Sequence, residues 1–150
     1  NRDFSVAAAH FTGFVQPETL ALDQFIRAQL IENNLTLKVS LDYHCCIGAL
    51  LYPWSFDTPR VAPLPPEALA GHLAIGEILY DVFGRKNYEV GQTPDVLGYS
   101  AIGTTKDYYY EKYGAYAFTF EGQYRKEDQN FPLHVQFWER VFKFLNAAHE

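Results

Sequence analysis

Two residues able to do acid–base or metal chemistry, His44 and Glu121, each finish a segment that alternates apolar and polar side chains. Leu37, Val39, Leu41 and Tyr43 alternate with Thr36, Lys38, Ser40 and Asp42 ahead of His44, and Tyr116, Phe118 and Phe120 alternate with Ala115, Ala117 and Thr119 ahead of Glu121. Period two is the signature of a strand. Ligands of open α/β sheets bind outside the carboxyl ends of the strands, so an imidazole and a carboxylate at two such ends share one edge, an arrangement suited to hydrolysis. Each residue also has a plainer reading, His44 as a hydrogen-bonded structural group and Glu121 as a solvated strand end. The only cysteines, Cys45 and Cys46, follow His44 directly. Neighbouring cysteines cannot staple distant parts of a chain. They are expected to be a buried pair of free thiols, with a thiol metal ligand as the less favoured alternative.

The elements that must position these groups follow from pattern and punctuation. Gln16-Pro17-Glu18-Thr19 opens a helix with Leu22, Phe25, Ile26 and Leu30 on one face, stopping at Asn33-Asn34. The first strand is expected to end at His44 and a second to run from Ile47 to Tyr52, closed by Pro53, which has no N–H for a ladder. Pro59, Pro63, Pro65 and Pro66 make residues 55–66 an extended loop. Pro66-Glu67 starts a helix through Leu69, Leu73, Leu79, Val82 and Phe83 to Gly84. Residues 85–103 read as a long loop with a brief strand near 88–90, and such loops are often functional. A helix near 104–112, a strand over 116–120 and an amphipathic helix over 132–148, with Val135, Trp138, Val141, Phe142 and Leu145 at helical spacing, complete the chain. The expected class is α/β, a mixed, largely parallel sheet flanked by helices, with Leu37, Val39, Leu41, Phe118, Phe120, Phe142 and Leu145 in the core. The sheet edge facing any missing part of the fold is expected to be exposed.

Composition narrows the partners. The 150 residues include 12 Phe, 11 Tyr and 2 Trp, with 48% hydrophobic residues, enough to build one domain core. The formal net charge of −6 and the lack of any basic run argue against nucleic acid and anionic membrane surfaces as partners. For the same reason Tyr108-Tyr109-Tyr110 and Tyr113 read as packing residues rather than a stacking platform. Charged residues interrupt every apolar stretch before the roughly 18 residues that span a bilayer, so no membrane partner is expected. No Met occurs, and the opening Asn1-Arg2-Asp3-Phe4 has no signal-peptide pattern, so the sequence reads as a piece of a longer product.

Six segments carry a resemblance when taken in order: Asn1-Arg2-Asp3-Phe4, Ser40-Leu41-Asp42-Tyr43-His44, Leu50-Leu51-Tyr52-Pro53-Trp54, Tyr99-Ser100-Ala101-Ile102-Gly103, Asp107-Tyr108 and Phe118-Thr119-Phe120-Glu121. Together, with His44 and Tyr52 8 residues apart and Tyr99 and Glu121 22 apart, they resemble the C-terminal half of a zinc metallocarboxypeptidase of the carboxypeptidase A (M14) type. The likeness covers nearly the whole chain, weakest over residues 5–15 and 60–98. It implies a carboxypeptidase-like fold, of which residues 1–150 are the C-terminal part of a single domain whose upstream half is absent.

The resemblance also implies roles. His44 is similar to the third protein ligand of the zinc, and Glu121 to the general base that deprotonates water and passes the proton to the leaving amine. Tyr99 resembles the mobile tyrosine that closes over substrate, and Asn1 with Arg2 the pair that clamps the terminal carboxylate. These residue types suit amide hydrolysis, since zinc lowers the pKa of bound water and Arg offers a planar fork to a carboxylate. The family's H-x-x-E segment, which supplies the other two zinc ligands, is missing here, because His10, His72, His134 and His149 each lack a Glu three residues on. A catalytic zinc takes about three protein ligands, so the isolated chain is expected to bind zinc weakly and to be inactive. The implied partners are a peptide with a free C-terminal carboxylate and a complementary N-terminal half. A cell-wall peptide peptidase of the same family and a non-catalytic remnant that binds a peptide or partner are the competing expectations. Lys106, just before Asp107, falls where the family pattern puts the bottom of the pocket for the terminal side chain. An ammonium there implies a preference for C-terminal Glu or Asp, the alternative being a solvated helix lysine.

Overall fold

The computed structural model describes residues 2–57, 63–123 and 131–147. Helix α1 spans Pro17–Glu32, strand β1 Val39–Tyr52, helix α2 Pro66–Phe83, strand β2 Glu89–Gln92, helix α3 Thr93–Leu97, helix α4 Thr105–Tyr113, strand β3 Tyr116–Gln123 and helix α5 Phe131–Ala147. A single 3-10 turn, Ala7–Ala9, precedes them. The strands form a parallel sheet in the order β2-β1-β3. Residues 58–62 of the expected proline-rich loop lie outside the described residues.

Three expectations about the elements change. The two strands foreseen on either side of His44 are one strand, and His44 lies in its middle. Pairing with β3 continues through register shifts between Cys46 and Leu51, so the alternation breaks while the ladder persists. Gly48, at φ 73, turns within this irregularity, where a Cβ would lie 2.5 Å from the Asn87 carbonyl oxygen. The expected long loop contains α3, opened by Thr93-Pro94, as well as β2. On α1 the foreseen apolar face is largely solvated, with Leu22 and Phe25 exposed and Thr19 and Asp23 buried. Asp23 accepts from Tyr108 Oη at 2.5 Å and Lys112 Nζ at 3.3 Å, so polar anchors, with Ile26 alone of the stripe against the Tyr108–Tyr109 cluster, dock α1 on α4.

Strand alternation assigns the two faces of the sheet. On one, Leu50, Tyr88, Phe118 and Phe120 pack with Ile75, Leu79 and Phe83 of α2 and Phe137, Val141 and Leu145 of α5. Val39 and Leu41 pack against this cluster as partly buried residues. Phe142, expected in the core, is 53% exposed, because α5 turns Phe137, Val141 and Leu145 inward and Phe142 lies beyond that stripe. On the other face Ala117 packs with Phe4, Tyr108 and Tyr109, bordered by Leu37. Burial of each large side chain contributes about 1.5–3 kcal/mol. Among the described residues nothing pairs with the outer edge of β3, and no helix is long and apolar enough to cross a membrane.

Candidate active site

A cavity of about 150 Å³ opens on the small and polar face of the sheet. Arg2, Asp42, His44, Thr93, Tyr99, Lys106, Thr119 and Glu121 are among its lining residues. Five of the six residues singled out in the sequence therefore converge here, although they are spread over most of the chain. The sixth, Asn1, lies outside the described residues.

Strand register brings the acid–base pair together. His44 of β1 is the partner of Glu121 of β3, and Asp42 of Thr119, so a parallel ladder sets imidazole and carboxylate side by side on one face. Burial raises the Glu121 carboxyl above the usual carboxylate range, while His44 and Lys106 oppose the rise. Such a carboxylate is a better proton acceptor near neutral pH than a free glutamate. Asp42 Oδ2 lies 3.2 Å from His44 Nε2 and accepts from Thr105 Oγ1 at 2.5 Å. This contact orients the ring and leaves Nδ1 as the nitrogen free to take a metal. Among the described residues, no group of three or more His, Cys, Asp or Glu side chains is placed to hold a metal ion. These residues alone therefore do not fit a catalytic zinc; His44 offers one ligand.

The segment that presents Arg2 is pinned on both sides. Phe4 is fully buried, its N–H bonded to the Gly103 carbonyl at 3.0 Å, and Asp3 accepts from the N–H groups of Val15 and Gln16 at 3.1 and 2.8 Å. Hydrogen bonds, first from the Thr19 hydroxyl and then from the Gln16 N–H, hold the Asp3 carboxyl below its usual pKa. Gly103 is required at φ 82, where a Cβ would sit 2.7 Å from the Arg2 carbonyl oxygen. The Arg2 guanidinium lies 5.5 Å from the centre of the half-exposed Tyr99 ring, which groups cation and phenol at the mouth.

Lys106 lies at the other end, only 2% exposed, with Nζ donating to Thr93 Oγ1 at 2.9 Å. The alternative of a solvated helix lysine is thereby set aside. Burial lowers its pKa to about 8, against the opposing pull of Asp107, Asp42 and Glu121. Asp107, fully buried, accepts from the Ser55 N–H at 3.1 and 3.2 Å, and Thr104 Oγ1 accepts from the Asp107 N–H as the N-cap of α4. The first turn of α4 is thus tied to the loop after β1, which fixes the direction of Lys106. Sequence reasoning missed Asp42 and Thr93. The polar positions of β1 carried a signal for Asp42, whereas nothing local marks Thr93, which acts through a helix it does not belong to.

Comparison with known proteins bears on the family and the fold. The family model for zinc carboxypeptidase, peptidase M14, matches residues 2–143. A search of curated proteins returned no match. Among solved structures, carboxypeptidase A from Helicoverpa armigera aligns over 99% of this chain and 41% of its own, at 23% identity and a TM-score of 0.67. Bovine thrombin-activatable fibrinolysis inhibitor, in complex with tick carboxypeptidase inhibitor, covers 89% and 48%, at 19% identity and a TM-score of 0.61. Another structure of thrombin-activatable fibrinolysis inhibitor covers 73% and 26%, at 22% identity and a TM-score of 0.55. At these identities the likeness is one of fold, and the chain spans less than half the length of each of these structures. With the model matched over residues 2–143, on a parallel sheet flanked by helices, the chain belongs to the zinc carboxypeptidase family.

Proposed function

We propose that this chain is the C-terminal part of a metallocarboxypeptidase that removes C-terminal residues, acidic ones in preference, from peptides. The observation that carries the proposal is the convergence of Arg2, Tyr99, His44, Glu121 and Lys106 on one cavity. Arg2, with Asn1 beside it in sequence, receives the terminal carboxylate through charge-assisted hydrogen bonds. Tyr99, half-exposed at the mouth, covers the bound peptide. Glu121 takes a proton from the attacking water and returns it to the leaving amine. His44 would supply one ligand to a zinc of the family's kind, the others being expected from an upstream H-x-x-E segment; such a zinc would polarise water for attack. The isolated chain is a carboxylate-binding half-site with no turnover of its own.

Lys106 sets the specificity. A buried ammonium facing the terminal side chain attracts Glu or Asp and repels Lys or Arg, in surroundings where charge is poorly screened. The test is a panel of peptides differing only in the last residue, assayed on the whole enzyme and on Lys106→Ala. The native enzyme is expected to prefer acidic ends by at least about tenfold in kcat/KM, equivalent to ~1.4 kcal/mol, and the variant to lose that preference. A preference unchanged by the substitution removes Lys106 from specificity. Absence of any carboxypeptidase turnover in a zinc-loaded whole protein overturns the activity itself.

A further inference from the structure

Cys45 and Cys46 take no part in the chemistry above, yet they directly follow His44 on β1. The two are disulfide-bonded to each other, Cys45 exposed and Cys46 half-buried, which corrects the expectation of buried free thiols. The reason is geometric: Tyr43, His44 and Cys45 are all exposed in the middle of β1, before the strand returns to buried residues at Gly48. Their partners on β3 are Gly122 and Gln123, the two residues after Glu121, and the register slips immediately beyond Cys46. The chain holds no other cysteine, so neither sulfur has another partner within it.

We propose that this pair is a thiol-exchange site on β1 directly after His44: closed as a disulfide, and once reduced by a small dithiol, a chelating site for one trivalent arsenical or a similarly thiophilic centre. The argument rests on access and adjacency, and is independent of the peptidase reading. Exchange begins with a thiolate reaching a disulfide sulfur, and an exposed Cys45 permits that in the folded protein. In the reaction the Cys45–Cys46 S–S bond breaks, the dithiol closes its own S–S bond, and its two protons end on the cysteine sulfurs. The reduced neighbours then act as a two-point ligand. With an aryl arsenic(III) oxide, two As–S bonds form, the As–O bond breaks, and the two thiol protons leave with the oxygen as water, with no change of oxidation state. A single thiol cannot hold the arsenical against competing thiol, because the second bond closes intramolecularly at high effective concentration. Bound there, the group stands one residue from the imidazole of the cavity.

The experiment alkylates the folded protein, purified without reductant, with iodoacetamide before and after a small dithiol, and maps adducts to the peptide containing both cysteines. Expected are no adducts before reduction and two after it, without denaturant. Phenylarsine oxide added to the reduced protein is expected to leave one arsenical per chain after a monothiol wash, and none on Cys45→Ser or Cys46→Ser. Adducts before reduction, or reduction achieved only after unfolding in urea, overturn the exchange site. Failure of the reduced native protein to retain the arsenical, or its retention by either single variant, overturns the two-sulfur ligand. The alkylation arm needs no variant, so misfolding of a substituted chain leaves it decisive.

Discussion

The two faces of the sheet are made from the same strands and differ at every second residue. On β3, Phe118 and Phe120 face α2 and α5 with no more than 1% exposure, while Thr119 and Glu121, one residue along, line the cavity. On β1, Leu41 packs with the apolar cluster and Asp42 and His44 line the cavity. The apolar face is held mainly by burial and best tolerates apolar side chains of similar volume. The polar face is held by specific partners, Thr105 on Asp42, Thr93 on Lys106 and Ser55 on Asp107, so each of its groups has one geometry and one charge state to lose. Stability and chemistry are thus separated by a distance of one residue along each strand.

This separation can be broken from either side. The largest effect is expected on chemistry: Glu121→Gln keeps the shape and removes the base, so kcat should fall by ~10²–10⁴ in the whole enzyme. The urea midpoint should stay near that of the native protein. A near-native turnover rate would show that Glu121 is not the base. On the opposite face, Phe118→Ala should cost about 3–5 kcal/mol of stability by urea denaturation, because the side chain is fully buried and leaves a cavity. At temperatures where this variant remains folded its KM should change little; a large KM change would mean that the two faces are coupled.

Two pH experiments sharpen the comparison further. Lys106 has its pKa lowered to about 8, so the acidic preference should be full at pH 6.5 and fade as pH rises through about 8 and the ammonium loses its proton. Ratios of kcat/KM for peptides ending in Glu and Leu, measured from pH 6.5 to 9, test this, and a flat ratio counts against a charge mechanism. The smallest effect concerns His72 of α2, fully buried, with Nδ1 donating to the Ala68 carbonyl at 2.7 Å and Nε2 accepting from the Ala117 N–H at 3.3 Å. Burial lowers its pKa, an effect larger than the opposing hydrogen bond to Ala68. The unfolded chain therefore takes up a proton near pH 6.5 while the folded one does not. Stability from this group is complete above about pH 6.5 and is lost as pH falls toward the lowered folded value, by at most about 1.4 kcal/mol per pH unit. The difference in urea midpoints between the native protein and His72→Asn, compared at pH 7.5 and 5.5, isolates it. Equal slopes would mean that His72 accepts a proton without leaving its place.

Much of this was legible in the amino-acid order because it depends on neighbours. Alternation named β3 and the first part of β1, Pro66 and Gly84 bracketed α2, and the spacing of Val141 and Leu145 marked α5. The six ordered segments carry the family resemblance by themselves, since their spacing is a sequence property. What the order of residues could not decide were the quantities set by groups distant along the chain. Leu22, Phe25 and Phe142 have apolar spacing yet are exposed, because a periodic stripe says which face is apolar and not whether anything covers it. Cys45 and Cys46 are exposed and half-buried in the middle of β1 rather than buried, because how far the flanking elements cover a strand is not written in its own residues. Lys106 carried two opposite readings until Thr93, from another helix, met its ammonium inside the fold. Local pattern determines backbone periodicity and the side each residue faces. Only tertiary packing determines how much water remains around it, and with that the pKa of Lys106, the access to Cys45 and the convergence of five distant residues on one cavity.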